Sequence, residues 1–466
     1  MFGLDTTLTV LLIICLLCAC FFEFINGFHD TANAVATVIY TNSLKPTVAV
    51  VYSGLLNFLG VMLGGIAVAM GIVNLLPVDV LIDANPYHGV AMILALLLSA
   101  IIWNFGTWYF GIPSSSSHTI IGSILGIGLA FYFLPGNVTS SVNWDKALET
   151  GQALLISPLL GFSMAIILMF LFKRFIKNDI IYKEPIPGKK PPLWVRMLLW
   201  VTCGLVSFFH GQNDGQKGVG LIMLILIAIL PGLFALDASV NLQSINSNVV
   251  SIETTMKKVD VTALSSDENK MYADVLMYID KFKAAIGDKM YATDVELKNR
   301  FDLRKNIVVI TKNTDKLLVG GNLKLSSNET GSLKKEVKEA KRLIEYAPMW
   351  VIIVISLCLA LGTMIGWKRI VKTVGEKIGK QHMSYAQGAS AEIVASIGIG
   401  LASFRGVPVS TTHMLSSGIA GSMVAKKGLK NLQKGTIKTI ALTWVFTVPV
   451  TIILSGSLFL LFRAIL

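Results

Sequence analysis

The sequence predicts an all-α integral membrane protein. It should contain two inverted-topology repeats of about five spans each, with discontinuous helices or re-entrant hairpins at repeated polar motifs. Three observations predict this. First, of 466 residues 53% are hydrophobic and only 15% charged, with a mean hydropathy of +0.67. A soluble chain carries roughly 25% charged residues. Second, two polar phrases recur inside apolar sequence. Asn26-Gly27-Phe28-His29-Asp30-Thr31-Ala32-Asn33 is echoed by His210-Gly211-Gln212-Asn213-Asp214-Gly215-Gln216-Lys217, and Pro113-Ser114-Ser115-Ser116-Ser117-His118 by Pro408-Val409-Ser410-Thr411-Thr412-His413. Third, Lys and Arg gather in three short loops: seven in 173–196, five in 368–384 and five in 426–438.

Each element follows from these patterns. Apolar runs such as Val90–Ile102, Leu154–Phe172 and Met349–Ile365 are of membrane-spanning character. Met1–Thr9 and Gly71–Gly89 carry no basic residue, and Gly136–Gly151 only Lys146. The positive-inside rule therefore puts the three basic loops in the cytoplasm. With the N-terminus outside, five crossings near 10–39, 48–70, 90–110, 119–135 and 152–172 lead to the basic linker 173–196. Five more, near 197–236, 346–367, 385–404, 414–425 and 439–462, return the C-terminus to the outside. An odd number of crossings per half turns the second repeat upside down relative to the first. Trp108, Trp194, Trp350, Trp367 and Trp444 fall near predicted span ends, where interface anchoring is expected.

One segment breaks the symmetry. Asp30 and His118 are 88 residues apart, but Asp214 and His413 are 199 apart. The polar stretch 237–345 accounts for the excess. Tyr272, Val275, Leu276, Ile279 and Phe282 recur in it at helical spacing. It reads as a mainly helical extracytoplasmic insertion, because long translocated segments escape the positive-inside rule. The organisation is then 1–172, first transmembrane repeat; 173–196, basic linker; 197–236, start of the second repeat; 237–345, insertion; 346–466, remainder of the second repeat.

Several function classes are disfavoured. The start lacks the basic n-region and small-residue cleavage site of a signal peptide and reads as leading into a retained span. Cys15, Cys18, Cys20, Cys203 and Cys358 lie in apolar runs and complete no metal pattern. The net charge of +12 lies in loops, so nucleic acid is not an expected partner. The Ser-His neighbours lack the spatially separate base and the strained elbow of a serine hydrolase, so no enzyme is expected.

The two phrases suit opposite charges. Glu23, Asn26, Asp30 and Asn33 share one helical face, as do His210, Asp214 and Lys217. Gly27, Gly211, Gly215 and Gly218 are expected to loosen the helix there. Carboxylates and amides in a protected cavity suit Na⁺, Mg²⁺ or a proton. Each Ser/Thr phrase sets Pro and hydroxyls before a helix, which suits an oxyanion at the N-terminus. The hydroxyl set is Ser115, Ser116, Ser117, Ser410, Thr411 and Thr412. Symport of a cation with an oxyanion satisfies both phrases. Glu23 and Glu392 have no carboxylate counterpart (the matching positions are Ser207 and Leu97) and are candidate proton carriers. His118 and His413 either titrate near neutral pH or satisfy a neighbouring carbonyl.

The motifs resemble the inorganic phosphate transporter (PiT) family, and most closely its bacterial low-affinity type. Gly27-Phe28-His29-Asp30 with Ala32-Asn33-Ala34, Gly211-Gln212-Asn213-Asp214 and both Ser/Thr-His phrases carry the resemblance, which covers everything but the insertion. It implies phosphate import at a bacterial inner membrane with no permanently bound cofactor. The cargo would be phosphate itself or its neutral complex with Mg²⁺ or another divalent cation. Asp30 and Asp214 would couple the driving ion, with Asn33 and Asn213 beside them, and the six hydroxyl residues would cradle phosphate. Asn26, Gln216, Lys217, His118 and His413 would support the site. A homodimer is compatible with this picture.

One residue departs from the family pattern. His29 stands where the family has Asn, whereas Asn213 keeps it. Imidazole is a poor Na⁺ ligand and a good proton acceptor, so H⁺ is the expected coupling ion and Na⁺ the alternative. Another tetrahedral oxyanion, such as sulfate, is the alternative cargo.

Overall fold

The computed structural model describes residues 3–75, 86–134, 144–186 and 188–466, except the side chains of 30–33, 86, 145, 146 and 149. Among the described residues there are helices and no strand. The chain divides into two compact units, Gly3–Ile225 with Ala347–Leu466, and Leu226–Tyr346.

The first unit holds α1 (Thr6–Tyr40), α2 (Pro46–Leu63), α3 (Ala67–Val73), α4 (Pro86–Tyr109), α5 (Ser116–Tyr132), α6 (Trp144–Phe175) and α7 (Leu193–His210). A π turn (Gly211–Gly215) joins α7 to α8 (Gln216–Ile229), which runs into the second unit. After that unit come α14 (Met349–Ile365), α15 (Lys368–Lys372), α16 (Tyr385–Phe404), α17 (Thr411–Lys427) and α18 (Lys434–Ile465). The second unit contains a short α9 (Pro231–Phe234) and four longer helices, α10 (Leu242–Met256), α11 (Ser266–Ile286), α12 (Leu297–Gly320) and α13 (Ser327–Lys341). Val275, Ile279 and Phe282 face its core, and Arg304, 3% exposed, donates to the carbonyls of Ala235 and Ile344.

By length and composition, six helical segments among the described residues are fit to cross a membrane. The pair Met349–Ile365 and Lys368–Lys377, bent by 53°, makes a seventh. The expected span near 385–404, α16 of 20 residues, is not among these segments, and those near 119–135 and 414–425 differ in length. The latter two are α5 and α17, each 17 residues, or about 25 Å long against a hydrocarbon layer of about 30 Å. The Ser/Thr phrases occupy the breaks before them, at 110–115 and 405–410.

Helix packing is paired. α1 packs on α14 and α7 on α2, while α5 packs on α18 and α17 on α6. Each pairing maps onto its mate when the halves of the chain are exchanged. Glycines set the first two crossings. A Cβ at Gly27 would lie 2.6 Å from the Thr363 nitrogen, and one at Gly362 2.0 Å from the Phe24 carbonyl oxygen. At the mate crossing, a Cβ at Gly60 would lie 2.1 Å from the Phe208 oxygen and one at Gly211 2.2 Å from the Asn57 oxygen.

The first polar phrase departs from expectation. α1 runs unbroken through Gly27 for 35 residues, while the second copy opens into the π turn. Gly27 thus serves close packing and does not unwind its helix.

Candidate functional site

The two Ser/Thr phrases begin their helices in the same way. Ser115 caps α5 and accepts from the His118 amide at 3.3 Å; Ser410 caps α17 and accepts from the His413 amide at 3.1 Å. An N-cap hydroxyl satisfies one amide of the first turn, and the helix dipole leaves that end positive. The rings of His118 and His413 lie 4.4 Å apart, so the two helix starts meet.

Asp214 stands where they meet. Its Oδ2 accepts from Ser116 Oγ at 3.4 Å and from Thr411 Oγ1 at 3.2 Å, one hydroxyl from each phrase. Its Oδ1 accepts from Lys217 Nζ at 2.6 Å. Lys217, fully buried, also donates to Ser117 Oγ and to the Val409 carbonyl at 3.2 Å, and Ser117 Oγ donates to that same carbonyl at 2.6 Å. An ammonium with three oxygen partners can be held in the interior; one without them cannot. The cluster therefore joins three of the four repeated phrases through one ion pair.

The π turn positions this carboxylate. Asn57 Nδ2 donates to Thr363 Oγ1 at 3.0 Å, and that hydroxyl donates to the Leu359 carbonyl. Asn57 Oδ1 is thus the acceptor facing His210 Nδ1 at 2.9 Å. The network assigns the hydrogen to Nδ1 and turns Nε2 toward Asp214 Oδ2, 3.7 Å away. Asn213 is committed elsewhere: its amide donates to Ser403 Oγ and the Val407 carbonyl and accepts from the Val409 amide. It holds the strap before α17 and does not meet Asp214.

The remaining expected residues divide. His29 Nε2 donates to the Asn104 carbonyl at 2.7 Å, leaving the ring's basic nitrogen at Nδ1 when neutral. Glu23 Oε1 accepts from Asn26 at 3.1 Å, and Oε2 would lie 2.5 Å from a Cβ at Gly218. Glu392 is fully buried and accepts from Thr37 of α1 and Thr202 of α7. Gln216 does not join the cluster; it accepts from the Val68 amide at the start of α3. Thr412 is buried in the first turn of α17. The side chains of Asp30 and Asn33 lie outside the described residues, although their backbone belongs to α1.

Trp444 does more than its place near a span end implies: its ring stacks on His413 at 3.9 Å, and its Nε1 donates to the Pro113 carbonyl. An indole with a donor to satisfy fits that pocket better than an aliphatic side chain. Asn57, Asn104, Thr37 and Thr202 were absent from the expected set, and His210 was placed on the face of Asp214 without a role of its own. The amides at 57 and 104 were visible as polar residues inside apolar runs, which is a signal in itself.

A sequence profile described as the phosphate transporter family matches residues 26–455. The chain belongs to the phosphate transporter family. Among its relatives are the low-affinity inorganic phosphate transporters PitB and PitA of Escherichia coli (strain K12). Each is 41% identical to it, over 98% of this chain and 97% of theirs. The probable low-affinity inorganic phosphate transporter of Bacillus subtilis (strain 168) is 29% identical over 98% of this chain and 99% of its own. A solved structure titled "The sodium-dependent phosphate transporter" superposes with a TM-score of 0.56 over 98% of this chain and all of that one. At 19% identity it speaks for the shared helical fold of this phosphate transporter family member and no more.

Proposed function

We propose that this protein imports inorganic phosphate across a bacterial inner membrane by symport with H⁺, as phosphate or as its neutral complex with a divalent cation. Family membership supports phosphate as cargo. The observation that carries the site is Asp214, on which Ser116 of one phrase, Thr411 of the other and Lys217 converge.

In this reading the starts of α5 and α17 hold the oxyanion with Ser115, Ser116, Ser117, Ser410, Thr411 and Thr412. Lys217 supplies the positive charge that keeps a carboxylate and an anion together. The Lys217 ammonium already neutralises the Asp214 carboxylate, so this copy calls for no Na⁺, and the proton is the coupling ion in this reading. His29, with its basic nitrogen at Nδ1, supports the same choice at the first copy. An accepting Asp also favours phosphate, which carries a donor at neutral pH, over sulfate. The exchangeable helix pairing supports inverted repeats. Convergence of the basic loops at one end of the first unit supports a single cytoplasmic face, with both termini on the other side.

Purified protein in liposomes tests this, with ΔpH, Na⁺ and Mg²⁺ varied separately. Labelled phosphate should enter when the lumen is alkaline and should ignore Na⁺. Uptake driven by a Na⁺ gradient and indifferent to ΔpH would refute H⁺ coupling. Arsenate should compete and sulfate should not. Co-entry of Mg²⁺ in proportion to phosphate would identify the complex as the cargo.

A further inference from the structure

The three basic loops meet at one end of the first unit. Lys173 Nζ donates to the Ala425 carbonyl at 3.5 Å, and Lys426 Nζ to the Tyr182 carbonyl at 3.2 Å. The segment 429–433 is pinned to 376–380 by an antiparallel bridge, Gly379 to Leu432. The Lys380 amide donates to the Asn431 carbonyl at 2.7 Å, and the Gln433 amide to the Ile378 carbonyl at 3.0 Å. Gln433 Nε2 adds a bond to the Gly379 carbonyl at 2.7 Å. Two loops rich in lysine are thereby held side by side, against their mutual repulsion.

A groove of about 310 Å³ opens beside them between α6, α17 and α18. Pro158, Phe162, Ile378, Leu432, Ile440 and Trp444 line it, and its wall is almost wholly apolar. Pro158 shapes α6 here: it leaves the Leu154 carbonyl without its helical amide, and Ser157 Oγ donates to that carbonyl at 3.0 Å instead. Ile378 and Leu432 belong to the two pinned segments. Their neighbours Lys377, Lys380, Lys430 and Lys434 are exposed. Among the described residues, none of these four lysines pairs with a carboxylate.

An apolar slot with unneutralised ammonium groups beside it selects an amphiphile with an anionic head. A zwitterionic head would bring its own ammonium against four lysines. We infer that this groove binds an anionic phospholipid, one acyl chain between α6 and α18 and the phosphate head on the lysines of the two pinned loops. Basic clusters at the cytoplasmic end of membrane helices attract anionic lipids, and a groove of this size accommodates part of a chain. The bound chain would rest on Trp444, whose ring stacks on His413 at the start of α17. Lipid occupancy is thus in contact with the site.

The test is lipid retention by the purified full-length protein, measured by native mass spectrometry. The probes are dioleoyl phosphatidylglycerol and dioleoyl phosphatidylcholine. Phosphatidylglycerol should be retained at about tenfold lower concentration or better, and each lysine changed to Gln at 377, 380, 430 and 434 should weaken retention about fivefold. Ala441→Trp, which fills the groove and leaves the charges in place, should abolish retention. Lys189→Gln with Lys190→Gln, in the third loop, should leave it intact, as should exchange of chloride for inorganic phosphate at equal ionic strength. Equal retention of the two lipids overturns the inference, as does a lysine variant that keeps the preference or unchanged binding by Ala441→Trp. Displacement by inorganic phosphate overturns it too, since the lysines would then hold the free anion. So does a shift from dimer to monomer in Ala441→Trp with lipid unaffected, which would make the groove a subunit interface.

Discussion

The two copies of the Asp phrase differ in the residues that flank the carboxylate and in the backbone that carries it. Position 33 in the first copy is Asn; its match in the second is Lys217. Position 29 is His, and its match is Asn213. The first copy lies in an unbroken helix and the second in a π turn. Duplication thus keeps the crossings, at Gly27 with Gly362 and at Gly60 with Gly211, while the charge chemistry has diverged. Packing tolerates little change where backbones touch, whereas a polar cluster can exchange an amide for an ammonium provided its partners change too.

The largest effect that tests this comparison is at Asp214. Both Asp30→Asn and Asp214→Asn should reduce phosphate uptake in liposomes to background. Asp214→Asn should also unfold easily, because it leaves Lys217 buried without its carboxylate, a loss of about 3–5 kcal/mol. The double change Asp214→Asn with Lys217→Met should recover much of the melting temperature and none of the uptake. An Asp214→Asn variant that melts with the unaltered protein would show that the ion pair does not hold this copy together.

A smaller effect separates the copies by ion. His29→Asn makes the first phrase match the second. It removes the bond to the Asn104 carbonyl, at a cost of about 1 kcal/mol. Uptake should lose dependence on ΔpH several-fold and gain stimulation by Na⁺. A variant whose ΔpH dependence is unchanged would remove His29 from the coupling scheme.

The crossings should instead respond alike. A methyl at Gly27 or Gly211 meets backbone atoms at 2.6 and 2.2 Å, which cannot yield as a side chain can. Each Gly→Ala change should cost about 1–3 kcal/mol in thermal denaturation. Gly106→Ala, with nothing within 4 Å of its Cβ, is the control and should be neutral or mildly stabilising. A large loss at one crossing and none at the other would deny that the halves pack equivalently.

Much of this was legible in the sequence, and the limits are physical. The helical membrane class, the duplicated phrases and the hydroxyls at helix starts follow from local composition and spacing. Partner choice across the chain does not. Glu392 accepts from Thr37, 355 residues away, and from Thr202, 190 away, and no local pattern marks either hydroxyl. Gln216 reads like a member of the Asp phrase, but the Val68 amide claims it. Trp444 sits at a span end where lipid headgroups and a buried His are equally plausible neighbours by sequence. A glycine inside a helix marks a close crossing or an unwound turn alike, so Gly27 and Gly211 looked the same.

The weakest effect concerns ion pairs of equal length in different surroundings. Lys257 and Lys283 each reach Glu253 at 2.6 Å in the second unit, the same distance as Lys217 to Asp214. The Lys257 side chain is 63% exposed and that of Lys217 fully buried. Hydrogen bonds from Lys257, then Lys283, hold the Glu253 carboxyl below its ordinary value of 4.5. A group whose folded value is depressed stabilises the fold above its unfolded value and loses that contribution as pH falls through the folded one. Acidification below about pH 4.5 should therefore speed amide exchange in α10 and α11 of the full-length protein, and Glu253→Gln should flatten that response. At neutral pH Glu253→Gln should cost less than about 1 kcal/mol, because water and salt screen exposed pairs. A loss as large as that of Asp214→Asn would mean that distance, not burial, sets the worth of these pairs, and the contrast drawn between the two sites would fail.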